Sequence, residues 1–107
     1  MLTVLIRIFW LFVGHAVCDF GLQSGYMAEG KDPFKPDHWD NPWFWCMFPH
    51  CLLHAGAVYL ITQNFYLALA ELVVHFLADV VKCKGITTFS QDQMCHYACK
   101  IVWGILA

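Results

Sequence analysis

The chain has 107 residues and a formal net charge of −2, with 60% hydrophobic and 13% charged residues, whereas soluble domains carry about a quarter charged. Six Lys and Arg face eight acids, and no basic patch is interleaved with aromatic residues, so the sequence gives no support to a nucleic-acid partner. The length suits one domain, and the apolar residues fall in blocks longer than a soluble core requires.

The first block, residues 2–24, is a predicted membrane span with Arg7 and Asp19 as its only charged side chains. A secretory signal places a basic residue ahead of its apolar run and a small-residue cleavage site after it. Neither is present, and Gly14-His15-Ala16-Val17-Cys18 is a poor lipoprotein box, so the segment is expected to be retained as a helix. The loop 25–41 gathers Glu29, Lys31, Asp32, Lys35, Asp37 and Asp40 with Pro33 and Pro36, which predicts solvated or interfacial chain.

The second predicted span is 42–62, with Asp40 or Asn41 placed to cap it and Pro42 in its first turn, where a missing N–H costs nothing. Trp39, Trp43, Phe44, Trp45 and Phe48 form an aromatic group suited to headgroup depth. Pro49 is expected to kink this helix or to mark the end of a short interfacial turn. Spans at 64–82 and 88–106 follow, joined by Gln63-Asn64 and by a turn containing Gly85, and each approaches the roughly 20 residues a bilayer core requires. The expected fold is all-α: an integral membrane four-helix bundle of two antiparallel helical hairpins. The loop side carries Lys31, Lys35, Lys82 and Lys84, which makes it the cytoplasmic side. The six cysteines lie inside or near the ends of apolar segments and read as small buried hydrophobes rather than a disulfide scaffold.

The polar residues within the spans form one pattern: His15 and Asp19, His50 and His54, His75 and Asp79, Asp92 and His96. Each pair is spaced i, i+4, which puts both side chains on one helical face. Counted inward from the loop side, Asp19, Asp79 and Asp92 lie roughly 6–8 Å deep and His15, His50, His75 and His96 roughly 12–14 Å. His54 and Glu71 come out at roughly 16–18 Å on the same count. The order of the pairs also reads as an internal duplication, with the two hairpins related by a pseudo-two-fold axis along the membrane normal.

A lone acid at mid-membrane costs about 2.5–3.5 kcal/mol even on a lenient scale. Asp19, Glu71, Asp79 and Asp92 therefore need to face inward and to meet cations. A divalent metal is an economical partner, with zinc the first choice and iron or manganese also suited to imidazole and carboxylate ligands. His15, His50, His54, His75 and His96 are the expected metal ligands; Asp19, Asp79 and Asp92 serve as ligands, supporting groups or general base, and Glu71 as a further catalytic carboxylate. Lys82 is expected to snorkel or to pair with Asp79, and Lys100 to pair with an acid such as Glu71. Gly14, Gly56 and Ala55, Ala57, Ala68 and Ala70 permit close helix approach, although none of them forms a GxxxG pair.

These residues carry a resemblance. The sequence has His15, Asp19, Phe20 and Gln23, then Met27, Ala28 and Lys31, then His50 and His54, then His75, Asp79 and Lys82, and finally Asp92, Gln93 and His96. In that order and spacing it resembles a family of small multi-span membrane proteins of bacteria and their phages with no established activity, and it departs from the family by a Pro- and Trp-rich insert at 32–45. The resemblance implies a bacterial inner membrane.

Three functions fit. The first is a metal-dependent hydrolase of a lipid-like or amphiphilic ester or phosphoester; the second is a non-catalytic phage or bacterial membrane factor whose cluster is structural. The third is a proton or metal-ion pathway, which four short helices form only as an oligomer. The expected partners are the bilayer, a lipid-like substrate, and either a second copy or another membrane protein.

Overall fold

The computed structural model describes residues 1–35 and 42–107, and among these the regular structure is entirely helical. Helix α1 (Leu2–Ala16) runs directly into a π-helical turn, Val17–Gly21. A short helix α2 (Gly25–Gly30) follows, its Ser24 side chain accepting from the Met27 N–H as an N-cap. Three long helices complete the chain: α3 (Phe44–Thr62), α4 (Phe65–Cys83) and α5 (Phe89–Leu106).

The ends of these helices follow local chemistry. Gln63 adopts a left-handed conformation to stop α3, and the Asn64 side chain caps α4 by accepting from the Tyr66 and Leu67 N–H groups, which gives the tight hairpin expected at Gln63-Asn64. Thr88 and Gln91 form a reciprocal capping box at the start of α5. Pro49 lies inside α3, which continues through it. The cap expected at Asp40 or Asn41, and Trp39 of the aromatic group, lie outside the described residues.

α1 packs on α3 and α5, and α4 packs on the same two helices. The four long helices thus form a ring in which α1 stands diagonal to α4 and α3 to α5, the placement that two antiparallel hairpins around a two-fold axis require. Two of them, Leu2–Gly21 and Phe44–Thr62, are long and apolar enough to cross a membrane.

The described part of the region 25–41, residues 25–35, contains a helix and buried charges where the sequence predicts solvated or interfacial chain. α2 folds against α3, and Lys31 and Asp32 are buried. A Cβ on Gly30 would lie 2.7 Å from Cys46 Sγ, so the missing side chain lets α2 approach α3 closely. The reason is electrostatic: Lys31 leaves water to meet a carboxylate inside the bundle, as described below.

Burial is inverted relative to a water-soluble fold. His15, His50, His54, Glu71, His75, Asp79, Asp92, His96 and Lys100 are all buried, while Phe9, Trp10, Leu60, Val73, Leu77, Ile101 and Ile105 are exposed. No residue classed as exposed on α1, α3, α4 or α5 is charged. The apolar core of Leu11, Val58 and Leu67 is small and lies toward the bundle end away from α2.

Candidate metal centre

Asp19, His50, His54 and His75 converge from three helices, and one ligand atom from each lies within 4.8 Å of the other three. Asp19 Oδ1 is 3.3 Å from His50 Nε2, 3.1 Å from His54 Nε2 and 3.9 Å from His75 Nε2. His50 Nε2 and His75 Nε2 face each other at 3.1 Å. Zinc–nitrogen bonds of about 2.0–2.1 Å in a tetrahedron put neighbouring ligand atoms about 3.3 Å apart, close to the Asp19–His50, Asp19–His54 and His50–His75 separations. Two imidazole nitrogens that face each other can share a single proton or a single metal ion, and the second option also satisfies the carboxylate.

A second group, Asp79, Asp92 and His96, joins the first. Asp79 Oδ2 lies 3.3 Å from His50 Nε2 and 3.5 Å from His75 Nε2, and Asp79 Oδ1 lies 3.5 Å from His96 Nε2. His96 Nε2 and Asp92 Oδ1 are 3.2 Å apart, yet both are buried without a hydrogen-bond partner. Buried polar atoms left unpaired cost about 1–3 kcal/mol each. A cation between them removes that cost.

Side-chain lean explains why these residues meet. In a helix the Cα–Cβ bond tilts toward the N-terminus, so side chains on α1 and α4 lean away from the loop side and those on α3 and α5 lean toward it. Asp19, counted as shallow, therefore reaches the nitrogen of His54, counted as deep, and the His54 ring stacks on His75 with centroids 3.7 Å apart. The separate deep layer expected for His54 does not exist. The π turn assists, because it turns two adjacent residues, Cys18 and Asp19, into the interior; such turns recur at functional sites.

His15 has a different place from the expected ligands. It lies outside all three convergent groups and its Nε2 bonds Gln93 Oε1 at 3.0 Å, while Gln93 Nε2 donates to Asp19 Oδ2 at 2.8 Å. His15 and Gln93 thus hold the far oxygen of Asp19 and turn its near oxygen to the nest. Glu71 lies on the other side of His75: its Oε1 is 3.4 Å from His75 Nδ1. It also accepts from Lys100 Nζ at 2.6 Å and from Trp103 Nε1 at 2.7 Å. The third convergent group, Glu71 with His75 and His96, therefore already holds a cation, the Lys100 ammonium, in the pairing expected for that lysine.

Lys82 keeps about a third of its side chain exposed, as a snorkelling lysine does, and the acid nearest its ammonium is Asp92 rather than Asp79. Its Nζ is 3.9 Å from Asp92 Oδ2, because Asp79 Oδ2 is taken by Lys31 Nζ at 2.7 Å. Lys31, Gln93 and Trp103 are the site residues that reading by spans missed. Lys31 was counted with the charges of a loop, although Met27, Ala28 and Lys31 share the helical spacing that puts 27 and 31 on one face.

A groove borders the site at one edge. It has a volume of about 290 Å³, lies between α4 and α5, and is lined by apolar side chains including Val74, Leu77 and Val81 together with Asp92. A family model described as "Protein of unknown function (DUF3307)" matches residues 7–106, and no curated protein and no solved structure matches the chain.

Proposed function

The chain belongs to the DUF3307 family, whose function is unknown, and we propose that it is an integral membrane, metal-dependent hydrolase of a lipid-like ester or phosphoester. The observation that carries the reading is the nest of Asp19, His50, His54 and His75, in which a carboxylate and three imidazoles drawn from three helices converge.

Four crossings are supported by the surface rather than by hydropathy alone. Charges lower the mean hydropathy of α4 and α5, and Glu71, Asp79, Asp92 and Lys100 are all buried in the bundle. What α4 and α5 leave exposed includes Phe65, Leu69, Val73, Leu77, Met94, Ile101 and Ile105, side chains that lipid tails accept. A helix of 18 or 19 residues rises about 27–28 Å, close to the roughly 30 Å of a hydrocarbon core. By the positive-inside rule the α2 side faces the cytoplasm of a bacterial cell.

A divalent ion, zinc first, supplies Lewis acidity and lowers the pKa of water at the site. Asp19, His50, His54 and His75 hold it, and His15 with Gln93 orients Asp19. Asp92, which helps to line the groove, would take the proton of the attacking water on Oδ2, the oxygen turned away from His96. The water oxygen bonds to the acyl carbon or phosphorus, the bond to the leaving oxygen breaks, and the proton on Asp92 passes to that oxygen.

Elemental mass spectrometry on protein purified in mild detergent tests the reading. Bound zinc, iron or manganese that disappears in both His50→Ala and His75→Ala supports it, followed by screening of lipid esters and phosphoesters. A folded wild type that takes up none of these ions overturns it.

A second reading rests on the completed ion pairs Lys31–Asp79 and Lys100–Glu71, which suit a non-catalytic membrane factor with a structural network. On that reading, joint replacement of Asp79 by Leu and His75 by Phe leaves the cellular function intact.

A further inference from the structure

Five buried carboxylates, Asp19, Asp32, Glu71, Asp79 and Asp92, are faced by three ammonium groups, the buried Lys31 and Lys100 and Lys82, which lies beside Asp92. Among the described residues the interior therefore carries two uncancelled negative charges when its imidazoles are neutral. Lys82 stands at the edge, with about a third of its side chain exposed. One divalent ion in the Asp19–His50–His54–His75 nest cancels the two charges. A second divalent ion would leave the interior positive by two, which a low-dielectric environment does not tolerate without anions.

The place for a second ion is nevertheless built. His96 Nε2 and Asp92 Oδ1, both buried and without hydrogen-bond partners, face each other at 3.2 Å beside Asp79 Oδ1, which is 3.5 Å from His96 Nε2. The other oxygen of Asp79 lies against His50 and His75 of the first nest, at 3.3 and 3.5 Å. One carboxylate thus faces both groups, one oxygen to each, as a bridging ligand does in paired-metal hydrolases, whose ions stand about 3.5–4 Å apart.

We infer that Asp79, Asp92 and His96 form a second metal site, bridged to the first by Asp79, which fills together with an anionic phosphoester carried on a lipid tail. This deepens the proposed function and rests on its first metal site. Charge selects the substrate class. A phosphoester brings negative charge with it and, with hydroxide, offsets the second ion, whereas a neutral carboxylic ester offsets nothing. The tail is assigned to the groove between α4 and α5, whose lining includes Val74, Leu77 and Val81 together with Asp92. Lys31, now on Asp79 Oδ2 at 2.7 Å, is the ammonium positioned to move from the carboxylate to the phosphoryl oxygens once Asp79 binds metal.

The test is a titration of the full chain in neutral detergent with Mn(II), read by bound-metal stoichiometry and electron paramagnetic resonance. It is run with Mn(II) alone, with inorganic phosphate, with dioctanoyl phosphatidic acid, and with dioctanoylglycerol. The expected result is one ion with Mn(II) alone or with dioctanoylglycerol, and two with the phosphatidic acid, the second signalled by an exchange-coupled spectrum. Inorganic phosphate at the same concentration is expected to load the second ion at least tenfold less well. Asp92→Asn and His96→Ala are expected to keep the first ion and lose the second.

One ion under all four conditions overturns the second site, and two ions with Mn(II) alone overturn its coupling to the phosphoester. Equal loading by inorganic phosphate overturns the lipid-tail assignment. A wild type that binds no manganese, zinc or iron overturns the proposed function as well, so the two failures are distinguishable.

Discussion

At the scale of single residues, the strongest constraint falls on the buried ion pair of Glu71 and Lys100. Glu71 and Lys100 are both about 1% exposed and 2.6 Å apart. Removing one partner of such a pair costs about 3–5 kcal/mol, because the other charge stays buried, whereas replacing both with apolar groups is often neutral. Glu71→Gln and Lys100→Met are therefore each expected to lower the unfolding midpoint sharply in detergent, and the double variant Glu71→Leu with Lys100→Leu to recover most of the loss. A double variant as unstable as the worse single one would contradict this account. For His15, which reaches the nest only through Gln93 and Asp19, replacement by Ala is expected to weaken metal binding about 10–100-fold, while His50→Ala abolishes it. Competition with a chromogenic chelator separates the two. Imidazole must be neutral to bind metal, so affinity is expected to fall with falling pH in the same assay.

At the scale of elements, close approach is concentrated at Gly104. A Cβ at that position would collide with Ile8 Cγ1 on α1, whereas one at Gly56 would meet nothing within 4 Å. Gly104→Ala is expected to destabilise by about 1–3 kcal/mol through overpacking, and Gly56→Ala, on the exposed face of α3, to be neutral or to stabilise by up to about 1 kcal/mol. Thermal unfolding of the two variants in one detergent checks the contrast. The sequence pointed to Gly14 and Gly56 as small positions without distinguishing the glycine that matters, because the i, i+3 and i, i+4 relations act along one helix and Gly104 meets its neighbour across two. The His and Asp stripes were legible for the opposite reason: they repeat within each helix at a spacing that fixes a face. Which stripe atoms touch depended on the opposite lean of side chains on antiparallel helices, which a depth count by Cα position omits. α2 stayed hidden because Lys31 reads as a loop charge until Asp79 is known to lie beneath it.

At the scale of the whole molecule, the sequence showed the helical class, the hairpin at Gln63-Asn64 and the inward cluster, since all follow from apolar block length and polar spacing. The ring order of the helices did not follow from these, and it decides which acids share an ion. If the bundle spans a membrane as proposed, cysteine placed at exposed Lys84 is expected to react with an impermeant reagent from the cytoplasmic side only. Cysteine at exposed Gln63 is expected to react from the opposite side only. Reaction of both from one side overturns the four-span arrangement.

The division between apolar and charge-bearing helices also bears on biogenesis. α1 and α3 pass a hydropathy test for a span, and α4 and α5 do not, because they carry Glu71, Asp79, Asp92 and Lys100. On its own, α4 would present Glu71 to the lipid, and the cation that answers it, Lys100, is on α5. If the chain spans a membrane as proposed, the translocon would meet two charge-bearing segments that insert more readily as a hairpin, with Glu71 already paired to Lys100. α1 and α3 would then act as the receiving wall, and insertion of the second half of the chain becomes a step of tertiary assembly rather than of partitioning.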